Sequence, residues 1–187
     1  MNRITQILDA LDGGDTEVAE DFLPEVYNEL RSLAARRLAR HAPGQTLQAT
    51  ALVHEVWLRF DKGKHRRWKS RRHFFLTASK AMAQILIDRA RRKLALRRGA
   101  GGEHVDAELM DIAAPVQEES LLLLNDALQA IQKIEPEKAE IVTMRFFAGF
   151  SENEISEILG TSERTVRRQW AFAKAWLFDR VEQLKKG

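Results

Sequence analysis

The chain has 187 residues, a formal net charge of +3 and no cysteine, a length that suits one large or two small domains. Without cysteine it has no disulfide, no thiol catalysis and no cysteine-ligated zinc. No apolar run approaches the length needed to span a bilayer, Leu121–Leu124 being far too short, so no membrane role is expected.

Strand signals are almost absent and 3.6-residue periodicity is nearly continuous, so the expected fold is all-α. The opening MNRITQILDALDGG is amphipathic and partly acidic, unlike a signal or transit peptide, which points to the cytoplasm. Ile4, Ile7, Leu8 and Leu11 share one face of a first helix that Gly13-Gly14 stops. Asp15 is placed to cap a short second helix. Pro24 sits early in a third, which runs through Leu30, Leu33 and Leu38 to a break at His41–Gly44.

The next helix holds TLQATALVHEVWLRF. At 100° per residue, Leu52, Val53, Val56, Trp57 and Phe60 fill one arc of about 140°, the core side. The opposite arc presents Gln48, Ala51, His54, Glu55, Leu58 and Arg59. An apolar Leu58 among polar neighbours fits docking to another protein, although single exposed leucines are common. His54-Glu55 lacks the second histidine of a zinc-protease helix, and no other histidine spacing fits a metal or cofactor site.

Lys62 to Arg72 is a basic loop containing Trp68, and a long helix follows from about His73 to Arg98. Phe75, Ala78, Met82, Ile85 and Leu86 supply its buried stripe, while Lys80, Gln84, Arg91, Arg92 and Arg98 spread over the remaining surface. From Arg59 to Arg98 there are fifteen Lys/Arg against two acids, Asp61 and Asp88; from Glu103 to Glu137 there are nine acids against one base, Lys133. Such a basic block is an electrostatic footprint for nucleic acid. Trp68, Phe74 and Phe75 beside it are placed to stack on single-stranded bases, or simply to fill a core.

Gly99–Gly102 ends the first unit, and the acidic stretch to Glu118, with Pro115, reads as a flexible linker. The expected organisation is therefore a domain over 1–99, a linker over 100–118 and a second helical domain over 119–187, with few contacts crossing between the domains. The second domain opens with LLLLNDALQAIQKI, and Pro136 then starts a helix through Met144 and Phe147.

SENEISEILGTSERTVRRQW (151–170) has the pattern of a helix-turn-helix. Ile155, Ile158 and Leu159 recur at helical spacing, and Gly160 permits the left-handed residue that ends the first helix. Ser162 is a natural N-cap with Glu163 in the first turn. Val166, Trp170 and Ala173 give the second helix its apolar stripe, and small Ser156 allows close approach. The opposite face carries Arg164, Thr165, Arg167 and Arg168, a set able to reach phosphates or guanine edges in a major groove. The plainer alternative is an αα-hairpin with a solvated basic face.

Together these segments resemble a bacterial RNA polymerase sigma factor of the extracytoplasmic-function (ECF) type, over nearly the whole chain. LVHEVWLRF (52–60) resembles the family's polymerase-binding helix, RRWKSRRHFFLTASKAMAQILIDRARRKLALRRG (66–99) the segments that melt and recognise the −10 element, and RFFAGFSENEISEILGTSERTVRRQWAFAKAWL (145–177) the −35 reader. RQWAFAKAWL (168–177) and HFFLTASKAM (73–82) are similar to a subgroup with a tryptophan-rich region 4. The resemblance implies docking of Gln48, Ala51, His54, Glu55, Leu58 and Arg59 on the β′ clamp of core polymerase. It implies −10 contacts from Trp68, Arg71, Arg72, Phe74, Lys80, Gln84, Arg91 and Arg92, and −35 contacts from Ser162, Arg164, Thr165, Arg167 and Arg168. The partners would be core polymerase and promoter DNA, with no catalytic residue in the chain itself. The alternatives are a stand-alone helix-turn-helix regulator, which leaves the basic first unit unexplained, and a nucleic-acid enzyme, which would need clustered carboxylates or a metal site.

One departure from the family pattern stands out. Relatives usually carry an acidic run just before the polymerase-binding motif, where this chain has Gln48, Ala49, Thr50 and Ala51. Glu55 is the only acid between Glu29 and Asp61. A phosphate on Thr50 would restore negative charge near the start of that helix. The expectation is therefore activation by a Ser/Thr kinase in place of release from an anti-sigma factor, with Thr46 as the alternative acceptor.

Overall fold

The structure, a computed structural model, describes residues 16–39, 46–62, 70–99 and 118–186. The expected helix through Ile4–Leu11, the break at His41–Gly44, the loop with Trp68 and the linker to residue 117 lie outside the described residues. The elements are α1 (Thr16–Ala39), α2 (Thr46–Lys62), α3 (Arg71–Gly99), α4 (Glu118–Ile134), α5 (Pro136–Val142), a π-helical turn (Thr143–Ala148), α6 (Glu152–Leu159) and α7 (Glu163–Lys186). Among the described residues there is no strand, as the periodicity required.

Two helices expected between Asp15 and Leu38 are one. Helix α1 runs straight through Pro24, although a proline removes a backbone donor and crowds the carbonyl four residues back. That local cost is outweighed by packing further along, where Val26, Leu30, Leu33 and Ala34 are fully buried. Helix α2 buries most of the arc the sequence assigned to it, with Leu52, Val53 and Val56 inaccessible and Phe60 nearly so, while Trp57 at its edge is half-buried.

Helix α3 organises the molecule because it buries two arcs. Phe75, Ala78, Met82 and Ile85 join the core formed with α1 and α2. Ala83, Ile87 and Ala90, an adjacent arc, pack with Leu121 of α4 and Phe147 of the π turn. The second arc, alanine-rich and set among arginines, does not stand out by periodicity.

The expected sparseness of contact between the amino- and carboxy-terminal units is not what the structure has. Val26, Leu30, Leu52 and Phe75 of the first share one continuous core with Ile141, Met144, Phe150, Ile155 and Val166 of the second. The Phe75 and Phe150 rings meet edge to face at 5.4 Å, a favourable arrangement of aromatic quadrupoles. A separate apolar cluster within the second unit holds Ala127, Ile131, Ala139, Val142, Ala173 and Leu177, tying α4, α5 and α7 together.

The helix expected through Met144 and Phe147 widens into a π turn from Thr143, and ends at Gly149 in the left-handed conformation, φ 84°. Thr143 Oγ1 donates to the Ala139 carbonyl at 2.8 Å. Phe150 follows Gly149 directly and is 2% exposed. Substituting Phe150→Ala should therefore cost about 3–5 kcal/mol, the usual range for emptying a buried aromatic site. The check is the urea midpoint of the full chain; a loss below about 1 kcal/mol would mean that the shared core is not what stabilises the fold.

Candidate nucleic-acid interface

The best-defined surface lies on α6 and α7, and its geometry follows from local chemistry. Ser151 caps α6 through a complete capping box, its hydroxyl accepting from the Glu154 N–H at 3.2 Å while its own N–H donates to the Glu154 carboxylate at 2.7 Å. The S-x-x-E spacing that makes this box is legible in the sequence itself. Gly160 ends α6 at φ 65°, the left-handed position expected for it. Ser162 caps α7 by accepting from the Thr165 N–H at 3.1 Å. Val166 and Ala173 are fully buried and Ser156 is nearly so.

On the outward side of α7, Arg164 and Arg168 are exposed and make no ion pair among the described residues. Arg167 is also exposed but committed: its Nε donates to Glu152 at 2.9 Å and its Nη2 to Glu163 at 2.7 Å. Those carboxylates raise its pKa, first through the hydrogen bond it donates to Glu152 and then through the charges of both. Glu152 also bridges to Arg145 at 3.1 Å, and the Arg145 guanidinium lies 5.0 Å from the Trp170 ring centre. Glu152 was not singled out in the sequence, because only the fold brings residues 145, 152 and 167 together.

The residues suggested for single-stranded DNA divide in two. Lys80, Gln84 and Arg91 fall within about 40° of one another on α3 at 100° per residue and are exposed, as is Arg92. Arg71 and Arg72, in the first turn, face the carboxy-terminal unit instead. Arg72 bonds Glu140 at 2.8 Å and Arg71 reaches Glu157 at 3.8 Å, with the Arg71 side chain only 16% exposed. Phe74 is fully buried, with its ring edge-on to Phe60 and Phe75. In this arrangement Phe74 is a core residue and is not open to stack on a base. Trp68 lies outside the described residues.

On α2, Ala51, His54 and Leu58 are exposed, and Glu55 and Arg59 are half-buried; the Gln48 side chain is not described. Glu55 pairs with Arg89 and Arg59 with Asp88, the latter at 2.8 Å, so the polar edge of this face is fixed by α3. Asp88 also accepts from Gln84 at 2.8 Å. It thus joins the α2 face to the exposed row on α3. Burial alone would raise its pKa, but the hydrogen bonds from Arg59 and Gln84 and the nearby positive charges outweigh that and lower it.

Four further contacts join the amino-terminal helices to the carboxy-terminal ones. Glu118, the first residue of α4, holds Lys93 at 2.5 Å and Arg97 at 3.1 Å. The Arg37 guanidinium sits 4.6 Å over the Phe146 ring. Arg36 donates to Glu154 at 2.8 Å. Among the described residues no group of His, Cys, Asp and Glu is arranged to hold a metal ion, and no helix is long and apolar enough to cross a membrane.

A family model described as ECF sigma factor matches residues 1–183. No curated protein and no solved structure matches the chain.

The Glu154 contact generates a pH prediction. Burial raises the pKa of this carboxyl, but the bonds from Arg36 and Ser151 outweigh it, and the net shift is downward from 4.5. Its stabilising contribution is therefore complete above pH 4.5 and is lost as pH falls through the lowered value. Glu154→Gln keeps the capping geometry but not the charge, and should cost about 1 kcal/mol at neutral pH. The gap in melting temperature between wild type and Glu154→Gln should close on acidification. A gap independent of pH would show that the ion pair contributes nothing.

Proposed function

The chain belongs to the ECF sigma factor family, and from that premise we propose how its surfaces divide the work of promoter recognition. Members of the family are not enzymes; they act in transcription initiation, binding core RNA polymerase and promoter DNA. Residues 1–99 form the unit that meets polymerase and the −10 element, and residues 119–187 the unit that reads the −35 element. As a partner of polymerase the chain works in the cytoplasm.

The observation that carries this reading is the open basic face at the start of α7. Arg164 and Arg168 project there without a protein partner among the described residues, beside Thr165 and the Ser162 cap, on a helix preceded by a three-residue turn. A helix presented in this way enters a major groove with its amino-terminal residues on the base edges. The row of Lys80, Gln84 and Arg91 on α3 serves the −10 strand, whose extruded base costs a few kcal/mol that contacts must offset. The exposed face of α2, centred on His54 and Leu58, docks on the β′ clamp. A stand-alone helix-turn-helix regulator would use α6 and α7 alike, but leaves the basic α3 row and the docking face of α2 without a purpose.

Control of the docking face is the finer part of the proposal. The first turn of α2 contains no acidic residue, and Thr50 is exposed beside Ala51. A phosphate on Thr50, the fifth residue of α2, would add about −1.5 to −2 charges to the amino-terminal part of this face. Phosphorylation by a Ser/Thr kinase would then supply the charge toward basic groups on polymerase that the sequence lacks. An anti-sigma factor is the alternative means of control.

Two experiments test these readings. Replacing Arg164, Arg167 and Arg168 together with Ala should abolish transcription from a promoter of this factor, each base contact being worth roughly 1–3 kcal/mol. Normal transcription by that variant would remove the −35 assignment. For Thr50, core-polymerase binding should be weak for wild type and Thr50→Ala, and stronger for Thr50→Glu and for kinase-treated wild type. Tight binding by unmodified wild type, matched by Thr50→Ala, would end the phosphorylation proposal.

A further inference from the structure

The side chain of Arg167 is 64% exposed, yet its guanidinium is held from two sides. Nε donates to Glu152 at 2.9 Å and Nη2 to Glu163 at 2.7 Å. Glu152 is itself anchored, because its other carboxylate oxygen reaches Arg145 at 3.1 Å and Arg145 lies over the Trp170 ring. This chain of contacts gives a surface arginine a defined direction, where a free one would sample many rotamers. A guanidinium has five N–H donors, and these pairings use one on Nε and one on Nη2. Both terminal nitrogens keep an unused N–H. Those two form the fork that a guanine edge accepts through O6 and N7.

Charge decides between a phosphate and a base as the partner. Arg145 and Arg167 are balanced by Glu152 and Glu163, so the cluster is neutral as a whole. Drawing the Arg167 guanidinium onto a phosphate would leave acids facing the DNA backbone, and like charges repel. A guanine edge carries no net charge and asks for no such release, since the fork can meet it while both acids stay bonded. Arg164 and Arg168 are exposed with no ion pair among the described residues, and these are the cations suited to phosphates. The Arg167 pairs are open to solvent and each adds little stability. What they fix is direction.

We infer that Arg167 is the guanine-reading residue of the −35 contact, and that Glu152 and Glu163 are positioning residues that aim it at the base and withhold it from phosphates. The inference rests on the proposed −35 role of α7 and divides that face by task. Arg164 and Arg168 supply sequence-independent attraction, and Arg167 supplies discrimination.

The test uses the full chain assembled with core RNA polymerase, and a library of DNA duplexes randomised through the −35 and −10 regions. Bound duplexes are recovered and sequenced for wild type, Arg167→Lys, Arg167→Ala and the double variant Glu152→Gln, Glu163→Gln. Wild type should favour guanine roughly tenfold at one −35 position. Arg167→Lys keeps the charge but not the fork. It should lose that preference as fully as Arg167→Ala, with the other −35 positions read as before. The double Gln variant should still bind, with its guanine preference at that position reduced several-fold, because Arg167 is then as free for a phosphate as for the base. A merely structural role of the acids would weaken every −35 position together.

Guanine selection by Arg167→Lys equal to that of wild type overturns the base-reading role, since charge alone would then suffice, even if Arg167→Ala fails to fold. So does an Arg167→Ala variant with all base preferences intact. An undiminished guanine preference in the double Gln variant overturns the positioning role of the acids, and so does uniform loss across the −35 element. Each of these outcomes leaves the −35 assignment of α7 standing. A wild-type holoenzyme that selects no −35 sequence overturns that assignment, and this inference with it.

Discussion

Helix α3 has two adjacent apolar arcs to bury, and the placement of the other helices follows from that constraint. The arc through Phe75, Ala78, Met82 and Ile85 draws α1 and α2 to one side. The arc through Ala83, Ile87 and Ala90 draws α4 and the π turn to the other. On the surface left between them, Lys80, Gln84 and Arg91 form one exposed row with Asp88 beside it, while Arg92 is exposed further round the helix.

Acids then decide which of the many basic residues remain open to a partner. Glu140 and Glu157 engage Arg72 and Arg71, Glu118 engages Lys93 and Arg97, and Glu152 with Glu163 engages Arg167. Most of these pairs are exposed enough that each adds little stability by itself. Their effect is on availability: a paired arginine must be released before it can meet a phosphate, while Arg164 and Arg168 are already open. The modest net charge of +3 therefore conceals a surface sorted into engaged and open cations.

The amino- and carboxy-terminal units share a common core, to which Phe75 of α3 and Phe150, just after the π turn, each contribute a buried ring.

Elements whose causes are local were legible in the sequence. Gly160 and Ser162 set the turn between α6 and α7 because a left-handed residue and an N-cap act within one helical turn. The arc of Leu52, Val53, Val56 and Phe60 was correct because periodicity alone separates the two faces of an isolated amphipathic helix. Reading stopped where a helix is not amphipathic in the simple sense. The second arc of α3 is short, alanine-rich and set among arginines, so it became visible as core only once Leu121 and Phe147 lay against it. Phe74 was indistinguishable from a stacking residue until Phe60 and Phe75 enclosed it. Propensity, capping and periodicity are encoded within a few residues, and the sequence by itself determined those. Which arginine meets which carboxylate, and whether two units share a core, depend on groups that can lie more than a hundred residues apart, as Arg36 and Glu154 do, and only the tertiary structure decided them.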